Sequence, residues 1–337
     1  MNTIKKLDYV KELLKDKKVA IAFSGGADST LIGKLAKEVS KEVLAITIDN
    51  NLMPINFLND CKKIAKELNI NQVIIKEDFY KNKEFIENKS NRCYLCREQM
   101  YLKITEIANS FGFSTIVDGT NISDLLEDRP GILIVYKNNI LSPFIDCKLE
   151  SFEIHKYLND NNIDYLKAST CIATRIPTNT SLKKEEISKI QSAEDFIAAI
   201  SKCEIVKVRK NNNDALCEVD EINYLLNKDI LNRITDELKS LGFKNVYLNL
   251  RENQNEGSLK LECFPENNKF SFNYQLPYEI NILKTSNKLN IDCNNEKIKL
   301  NNVIINKNGN IEGKNFESEK KAKKEFLNVL PFLIREI

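Results

Sequence analysis

The chain has 337 residues, 50 basic and 48 acidic side chains for a net charge of +2, nine cysteines and a single histidine, His155. A chain of this length is expected to form about two domains, and its charge balance gives no reason to expect a membrane or nucleic acid as partner, a local basic patch aside. One histidine nearly excludes histidine-rich metal centres and serine–histidine chemistry. Nine scattered, odd-numbered cysteines argue against a disulfide framework, so any clustered subset is read first as metal-binding or catalytic. No apolar run reaches the ~18 residues of a membrane span, and Lys5, Lys6 and Lys11 lie in an amphipathic helical pattern rather than a leader, so a cytoplasmic protein is expected.

Ile4, Leu7, Val10, Leu13 and Leu14 recur at helical spacing and precede an apolar run, Val19 to Phe23, that reads as a strand. Ser24-Gly25-Gly26-Ala27-Asp28-Ser29 follows, and then Leu31, Ile32, Leu35, Ala36 and Val39 again at helical spacing. The order strand, glycine turn, helix N-terminus makes an anion site, because free N–H groups and the helix dipole converge where glycines allow close approach. No lysine follows, which argues against the G-x-x-x-x-G-K-[ST] loop. Asp28 can hold a Mg²⁺ bridging phosphate oxygens, and Ser24 and Ser29 offer hydroxyls.

Val43 to Ile48 is a second strand, and ligands of open parallel sheets sit beyond strand carboxyl ends, so Thr47 and Asp49 are expected to face the nucleotide. Pro54 suits the first turn of the next helix, with Ile55, Leu58, Cys61, Ile64, Ala65 and Leu68 on one face and Cys61 as core. Val73 to Ile75 is a third strand. Arg92-Cys93-Tyr94-Leu95-Cys96-Arg97 then opens a helix whose dipole, with the two arginines, is expected to lower the thiol pKa values toward metal-ligating thiolate. Strand Thr115 to Val117 runs into Asp118-Gly119-Thr120-Asn121, and Gly119 permits close approach to a ligand. Asp124, Glu127, Asp128 and Arg129 form a charged cluster that is either a solvated loop or part of the site. Ile132 to Ile140 reads as a β-like run, and His155, on a helix with Phe152, Ile154 and Leu158, as a packing residue.

Ser169 to Pro177 precedes any renewed helical spacing, so Cys171 is placed in a loop or short turn, where it can join Cys93 and Cys96. Arg175 can neutralise a phosphate or carboxylate. From about residue 180 the pattern becomes α+β: a helix to Ile200, strands Ile205 to Arg209 and Ala215 to Val219, a helix Asp229 to Leu241, and strands Val246 to Leu250 and Leu259 to Cys263. Lys207 and Arg209 share one side of their strand. Cys203, Cys217, Cys263 and Cys293 read as structural. The asparagine- and lysine-rich remainder suggests a β appendage with short segments at Tyr278 to Ile282 and Val303 to Ile305, and a terminal helical pattern from Phe326 to Ile337 interrupted by Pro331.

The S-G-G-x-D-S of Ser24 to Ser29 resembles the signature of the PP-loop ATP pyrophosphatases. Together with Arg92 to Cys96, Asp118 to Asn121, Asp128 to Gly131, Ser142-Pro143, Cys171 to Pro177 and Ala193-Glu194, the chain resembles the LarE family of sulfur transferases over about residues 5 to 260. That resemblance implies a doubly wound parallel α/β domain of the adenine nucleotide alpha hydrolase-like type over 1–178. A smaller α+β domain is expected over 179–264, and the appendage over 265–337.

The resemblance further implies adenylation of a substrate oxygen and its replacement by sulfur, the acceptor being a pyridinium dicarboxylate mononucleotide in making a nickel-pincer cofactor. Ser24, Gly25, Gly26, Asp28, Ser29, Thr47, Asp49 and Gly119 would bind ATP and Mg²⁺. Arg175, Glu194 and Arg209 would bind substrate or metal, and Asp128 substrate. Some members give up the sulfur of the cysteine at the position of Cys171, and others resemble holders of a [4Fe–4S] cluster on three cysteines, here Cys93, Cys96 and Cys171. Zinc stays open as an alternative, with Cys147 as a fourth ligand. The sulfur would come from sulfide or a donor protein, and a homo-oligomer is expected. Two other functions remain open at this stage, tRNA thiolation with RNA on the small domain and a non-catalytic nucleotide or metal sensor.

Overall fold

The computed structural model describes residues 2–134, 140–167, 170–251, 259, 261–266, 269–294 and 296–336. Helix α1 (Thr3–Leu14) leads into β1 (Lys18–Ala22), α2 (Ala27–Val39), β2 (Glu42–Asp49), α3 (Phe57–Glu67), β3 (Asn71–Lys76), a one-turn α4 (Lys83–Ile86), α5 (Arg92–Ser110) and β4 (Thr115–Val117). The four strands form a parallel sheet in the order β3-β2-β1-β4. The order reverses at β1, so the loop after β1 lies at the crevice where open α/β sheets bind ligands.

Alternation along the strands sends side chains to two different layers. Val19 and Ile21 of β1, with Val43 and Ala45 of β2, pack with Leu7, Leu31 and Ile64 of α1, α2 and α3. Phe144 of a one-turn α6 (Pro143–Asp146) and Ile154 of α7 (Ser151–Asp160) belong to the same layer. Ala20, Leu44, Ile46 and Ile48 face the other way, into a core shared with Tyr101, Ile104 and Ala108 of α5. This is the doubly wound fold expected from the sequence. Phe57 rather than Ile55 enters the core at the start of α3, because the helix begins after Pro54 and leaves Ile55 exposed.

The α5 core continues into α8 (Lys184–Ile200), whose Ile187, Ile190, Ala193 and Ile197 meet Val208 of β5 (Val206–Asn211) and Ala215 and Cys217 of β6 (Asp214–Val219). Strands β5 and β6 form an antiparallel hairpin, and β7 (Val246–Leu248), reached through α9 (Lys228–Ser240), adds parallel to β6.

The remaining strands are β8 (Cys263–Glu266), β9 (Lys269–Gln275), β10 (Lys297–Leu300), β11 (Val303–Asn306) and β12 (Asn310–Phe316), with α10 (Ile282–Leu289) and α11 (Glu319–Val329). They make a five-stranded antiparallel sheet, β10-β11-β12-β9-β8.

Several local expectations change here. Cys263 belongs to this sheet, paired opposite Phe272, instead of completing the α+β part. Tyr278 to Ile282 is no strand, because Ile280 makes a single bridge to Arg335 and Ile282 opens α10. The last helix lies earlier than expected, capped by Ser318, and Pro331 sits in a 3₁₀ turn beyond its end. In the run from Ile132 to Ile140, Leu133 and Ile134 are helical, and 135–139 lie outside the described residues. Among the described residues no helix is long and apolar enough to cross a membrane.

Candidate functional site

The loop between β1 and α2 is fixed by its own polar groups. The backbone N–H of Ser24 donates to Ser29 Oγ (3.2 Å), Ser29 Oγ donates to the Gly26 carbonyl (3.1 Å), and the Cys61 thiol donates to the Ser24 carbonyl (3.1 Å). Gly25 has φ +71°, the left-handed region that favours glycine, and a Cβ there would lie 3.2 Å from Cys61 Sγ. Gly26 is the N-cap of α2, which leaves the first-turn N–H groups open toward a ligand. Gly25 and Gly26 thus shape the loop, while Ser24, Asp28 and Ser29 line a cavity of about 360 Å³ above it.

Gly119, just past β4, closes the opposite wall. A Cβ on it would come within 2.7 Å of the Asp28 carbonyl carbon and 2.9 Å of Ser29 N, so only a glycine lets this turn press on the first turn of α2. Asp118 anchors the turn from below, accepting from Arg97 Nη2 (2.5 Å), Tyr101 Oη (2.5 Å), Thr120 Oγ1 (2.6 Å) and Ser142 Oγ (2.5 Å). Asn121 Nδ2 donates to Asp28 Oδ1 (3.1 Å), and the Asn121 N–H donates to Asp124 Oδ2 (2.9 Å). Burial first, and then the Asp124 carboxylate, push the Asp28 carboxyl up to about 8, while Arg129 and the Asn121 amide oppose the shift. Asp124 is raised chiefly by its own burial. A half-buried carboxylate raised by a buried neighbour fits a divalent cation, which would take its other ligands from water and phosphate oxygens.

The cysteines enter from two distant segments. Cys93 and Cys96 stand on the first turn of α5, and Cys171 precedes the 3₁₀ turn Ile172–Arg175. All three line the cavity that Ser24, Asp28 and Ser29 also line. Arg92 ties the segments together: one guanidinium nitrogen donates to the Asn88 side chain and to the Ala173 carbonyl (3.3 Å), and the other reaches Cys93 Sγ (3.6 Å). Asn88 in turn donates to the carbonyls of Pro177 (2.9 Å) and Thr180 (3.0 Å), so it holds the Cys171 segment from behind.

The Cys96 thiol is less ionised than its helix position suggested. Burial pushes Cys96 well above the usual thiol range, Cys171 and Cys93 add to the rise, and the pull of Arg92 and Arg97 does not overcome it. Arg97 is engaged with Asp118. Cys171 is raised by burial as well. Among the described residues no three histidine, cysteine or carboxylate side chains stand close enough to hold one metal ion. The donor set is nevertheless the soft, all-sulfur kind that suits iron–sulfur chemistry, gathered on one cavity.

A family model for a PP-loop domain matches residues 1–134. The chain is 35% identical to an uncharacterised protein of Methanocaldococcus jannaschii over 248 residues, 73% of this chain and 95% of that protein. It is 26% identical over 253 residues to the pyridinium-3,5-bisthiocarboxylic acid mononucleotide synthase of Lactiplantibacillus plantarum, covering 73% of this chain and 90% of the synthase. An uncharacterised protein of Synechocystis is 26% identical over 236 residues, 68% of this chain and 87% of that protein. The chain belongs to the LarE family of PP-loop proteins.

Other residues expected at the site of this LarE-family protein lie off the cavity. Thr47 and Asp49 follow the opposite parity of β2 from Ile46 and Ile48, which line it. Thr47 instead donates to the Phe23 carbonyl (2.8 Å), and Asp49 accepts from Asn51 N (3.2 Å). Arg175 is 2% exposed, with Nε donating to Glu194 Oε1 (2.7 Å), which also accepts the Val208 N–H (2.8 Å). This pair joins the Cys171 turn to α8 and β5, and it lines a separate cleft of about 170 Å³. Arg209 donates to the Thr174 carbonyl (3.0 Å) and pairs with Glu218 (2.9 Å). Asp128 pairs with Arg335 (2.6 Å).

Cys147 is buried with Leu7 and Phe144 on the far side of the sheet, its thiol directed to the Phe144 carbonyl (3.6 Å), so it is no fourth ligand. His155 packs edge-on against Tyr165, as expected. Three residues of this region, Asp124, Arg129 and Asn88, were left aside or undecided by motif reading. Asp124 and Arg129 line the cavity, while Asn88 and Arg92 fasten its two halves. Asp124 was visible only as a member of a charged cluster, Arg129 also as part of the Asp128 to Gly131 motif, and Asn88 carried no signal of its own.

Proposed function

We propose that this LarE-family protein uses ATP to activate an oxygen of a small-molecule carboxylate and replaces it with sulfur, the acceptor being a pyridinium dicarboxylate mononucleotide or a close relative. One observation carries the reading: the loop that suits a polyphosphate and three cysteines from two remote segments line the same cavity. Ser24, Ser29 and the open N–H groups of α2 would hold the phosphates, and Asp28 with Asp124 would hold Mg²⁺. Attack of the carboxylate oxygen on the α-phosphorus breaks the α–β bond, releases pyrophosphate and forms an acyl adenylate. A hydrosulfide then attacks the acyl carbon, AMP leaves with the oxygen, and loss of one proton yields a thiocarboxylate.

Cys93, Cys96 and Cys171 would hold a [4Fe–4S] cluster, which when bound would supply the sulfur-carrying chemistry. Three thiols on a shared cavity favour such a centre because deprotonation can accompany metal binding. Arg92 keeps the two thiol-bearing segments together and adds positive charge beside the sulfurs.

The decisive experiment is anaerobic purification followed by iron, sulfide and zinc analysis. Iron and sulfide in equal amount, lost together in C171A, support the cluster. Zinc alone, or a protein that after turnover has lost the Cys171 sulfur, replaces it with the corresponding alternative. Independently, D28N is expected to abolish pyrophosphate release while leaving the iron content unchanged; wild-type pyrophosphate release in D28N overturns the activation step.

A further inference from the structure

The segment from residue 122 to 132 carries two groups of the cavity, Asp124 and Arg129, yet has little secondary structure of its own. It consists of two short 3₁₀ turns, Ile122–Leu126 and Pro130–Ile132, joined by a charged loop. Such a segment cannot fix its position by its own backbone hydrogen bonds. On the side of the parallel sheet it is held at its start, where Ile122 N donates to the Leu149 carbonyl (3.1 Å) and Ser123 Oγ accepts from Ser151 N (3.1 Å). Its apolar side chains point elsewhere. Ile122, Leu125 and Ile132 are buried in the core of the five-stranded C-terminal sheet, with Phe272, Ile280 and Leu330.

Polar contacts fasten the same seam. Tyr278 Oη donates to the Leu125 carbonyl (2.5 Å), and the Arg335 guanidinium pairs with Asp128 (2.6 Å) while lying 5.9 Å from the centre of the Tyr278 ring. Tyr278 and Arg335 are themselves brought together by the bridge between Ile280 and Arg335. On the other face of the segment, Arg129 donates to Asp124 (2.5 Å), and Gly131 sits so close to α5 that a Cβ would lie 3.1 Å from the Cys93 carbonyl oxygen. The segment is therefore clamped between the C-terminal sheet and the helix that presents Cys93 and Cys96.

We propose that the C-terminal sheet positions the 122–132 segment at the active cavity, with Arg335 and Tyr278 as positioning residues that set where Asp124 and Arg129 meet Asp28. Asp128 is then part of this joint, not a substrate ligand. The nucleotide half of the inference rests on the ATP-dependent reading above, and the joint itself does not.

The test uses the full chain and two readouts: hydrogen exchange of peptides covering 122–132, and binding of α,β-methylene-ATP with Mg²⁺. R335A and Y278F are expected to speed exchange in 122–132, and R335A to weaken binding about tenfold, the low end of the cost of losing a partner behind a metal ligand. The charge swap D128R/R335D is expected to restore both. I305V, which removes a buried methyl group from β11, controls for general loosening: its melting temperature should fall without either change. Unchanged exchange in both R335A and Y278F overturns the proposal, as does an affinity loss in I305V equal to that in R335A. Should the wild-type chain not bind the analogue, the ATP-dependent reading falls, and the exchange measurement still decides whether the sheet orders the segment.

Discussion

Gly119 shows how strongly one residue's size sets the cavity. Its missing Cβ is the space occupied by the Asp28 carbonyl carbon at 2.7 Å and Ser29 N at 2.9 Å, both backbone atoms that cannot rotate away. G119A is therefore expected to push the turn after β4 off the first turn of α2, with an overpacking cost of about 1–3 kcal/mol. Thermal unfolding and MgATP binding should both report it; a variant with wild-type affinity would show that the two turns are free to separate. Asp28 and Asp124 make the complementary electrostatic point. The buried Asp124 carboxylate raises the half-buried Asp28 beside it, and a bound cation would relieve that repulsion.

At the scale of elements, the joint between the Cys171 turn and α8 depends on one buried ion pair. Glu194 accepts from Arg175 Nε and from the Val208 N–H, so a single carboxylate serves α8, the 3₁₀ turn and β5. Burial raises the Glu194 carboxyl above the ordinary range while Arg175 opposes the rise. Removing the carboxylate strands a guanidinium that is 2% exposed. E194A is expected to lose about 3–5 kcal/mol of stability, the usual cost of an uncompensated buried charge. Chemical denaturation measures this directly, and a loss below about 1 kcal/mol, the scale of a surface pair, would show that water reaches Arg175. The period-two alternation of β2 acts at the same scale, since it decides that Ile46 and Ile48 line the cavity while Thr47 and Asp49 do not.

Across the whole molecule, the C-terminal part and the parallel-sheet half also meet electrostatically, at Lys288 and Asp146. Lys288 of α10 donates to the Pro331 carbonyl (2.7 Å), and burial lowers its pKa to about 8 from 10.5, with Asp146 of α6 opposing the shift. The folded state thus disfavours the charged ammonium. Between about pH 8 and 10.5 the unfolded chain binds more protons at this site, so its contribution to stability rises with pH across that window. K288M removes the titration, and the melting temperature of K288M relative to wild type is expected to decline between pH 7 and 10. A constant difference would show that Lys288 keeps an ordinary pKa.

Read alone, the sequence carries the parallel α/β half, the Ser24 to Ser29 loop at its switch point and the C-x-x-C of Cys93 and Cys96. Each of these rests on local signals: strand and helix periodicity, a glycine turn, a C-x-x-C on a helix. Tertiary structure decided the rest, for reasons that no local pattern contains. Burial overrode the helix dipole at Cys96, and packing placed the cavity on the Ile46 and Ile48 side of β2, away from Thr47 and Asp49. Long-range pairing assigned Arg175 to Glu194 and Asp128 to Arg335. Which side chain faces which depends on how remote segments pack, and that is settled only when the apolar faces close on one another.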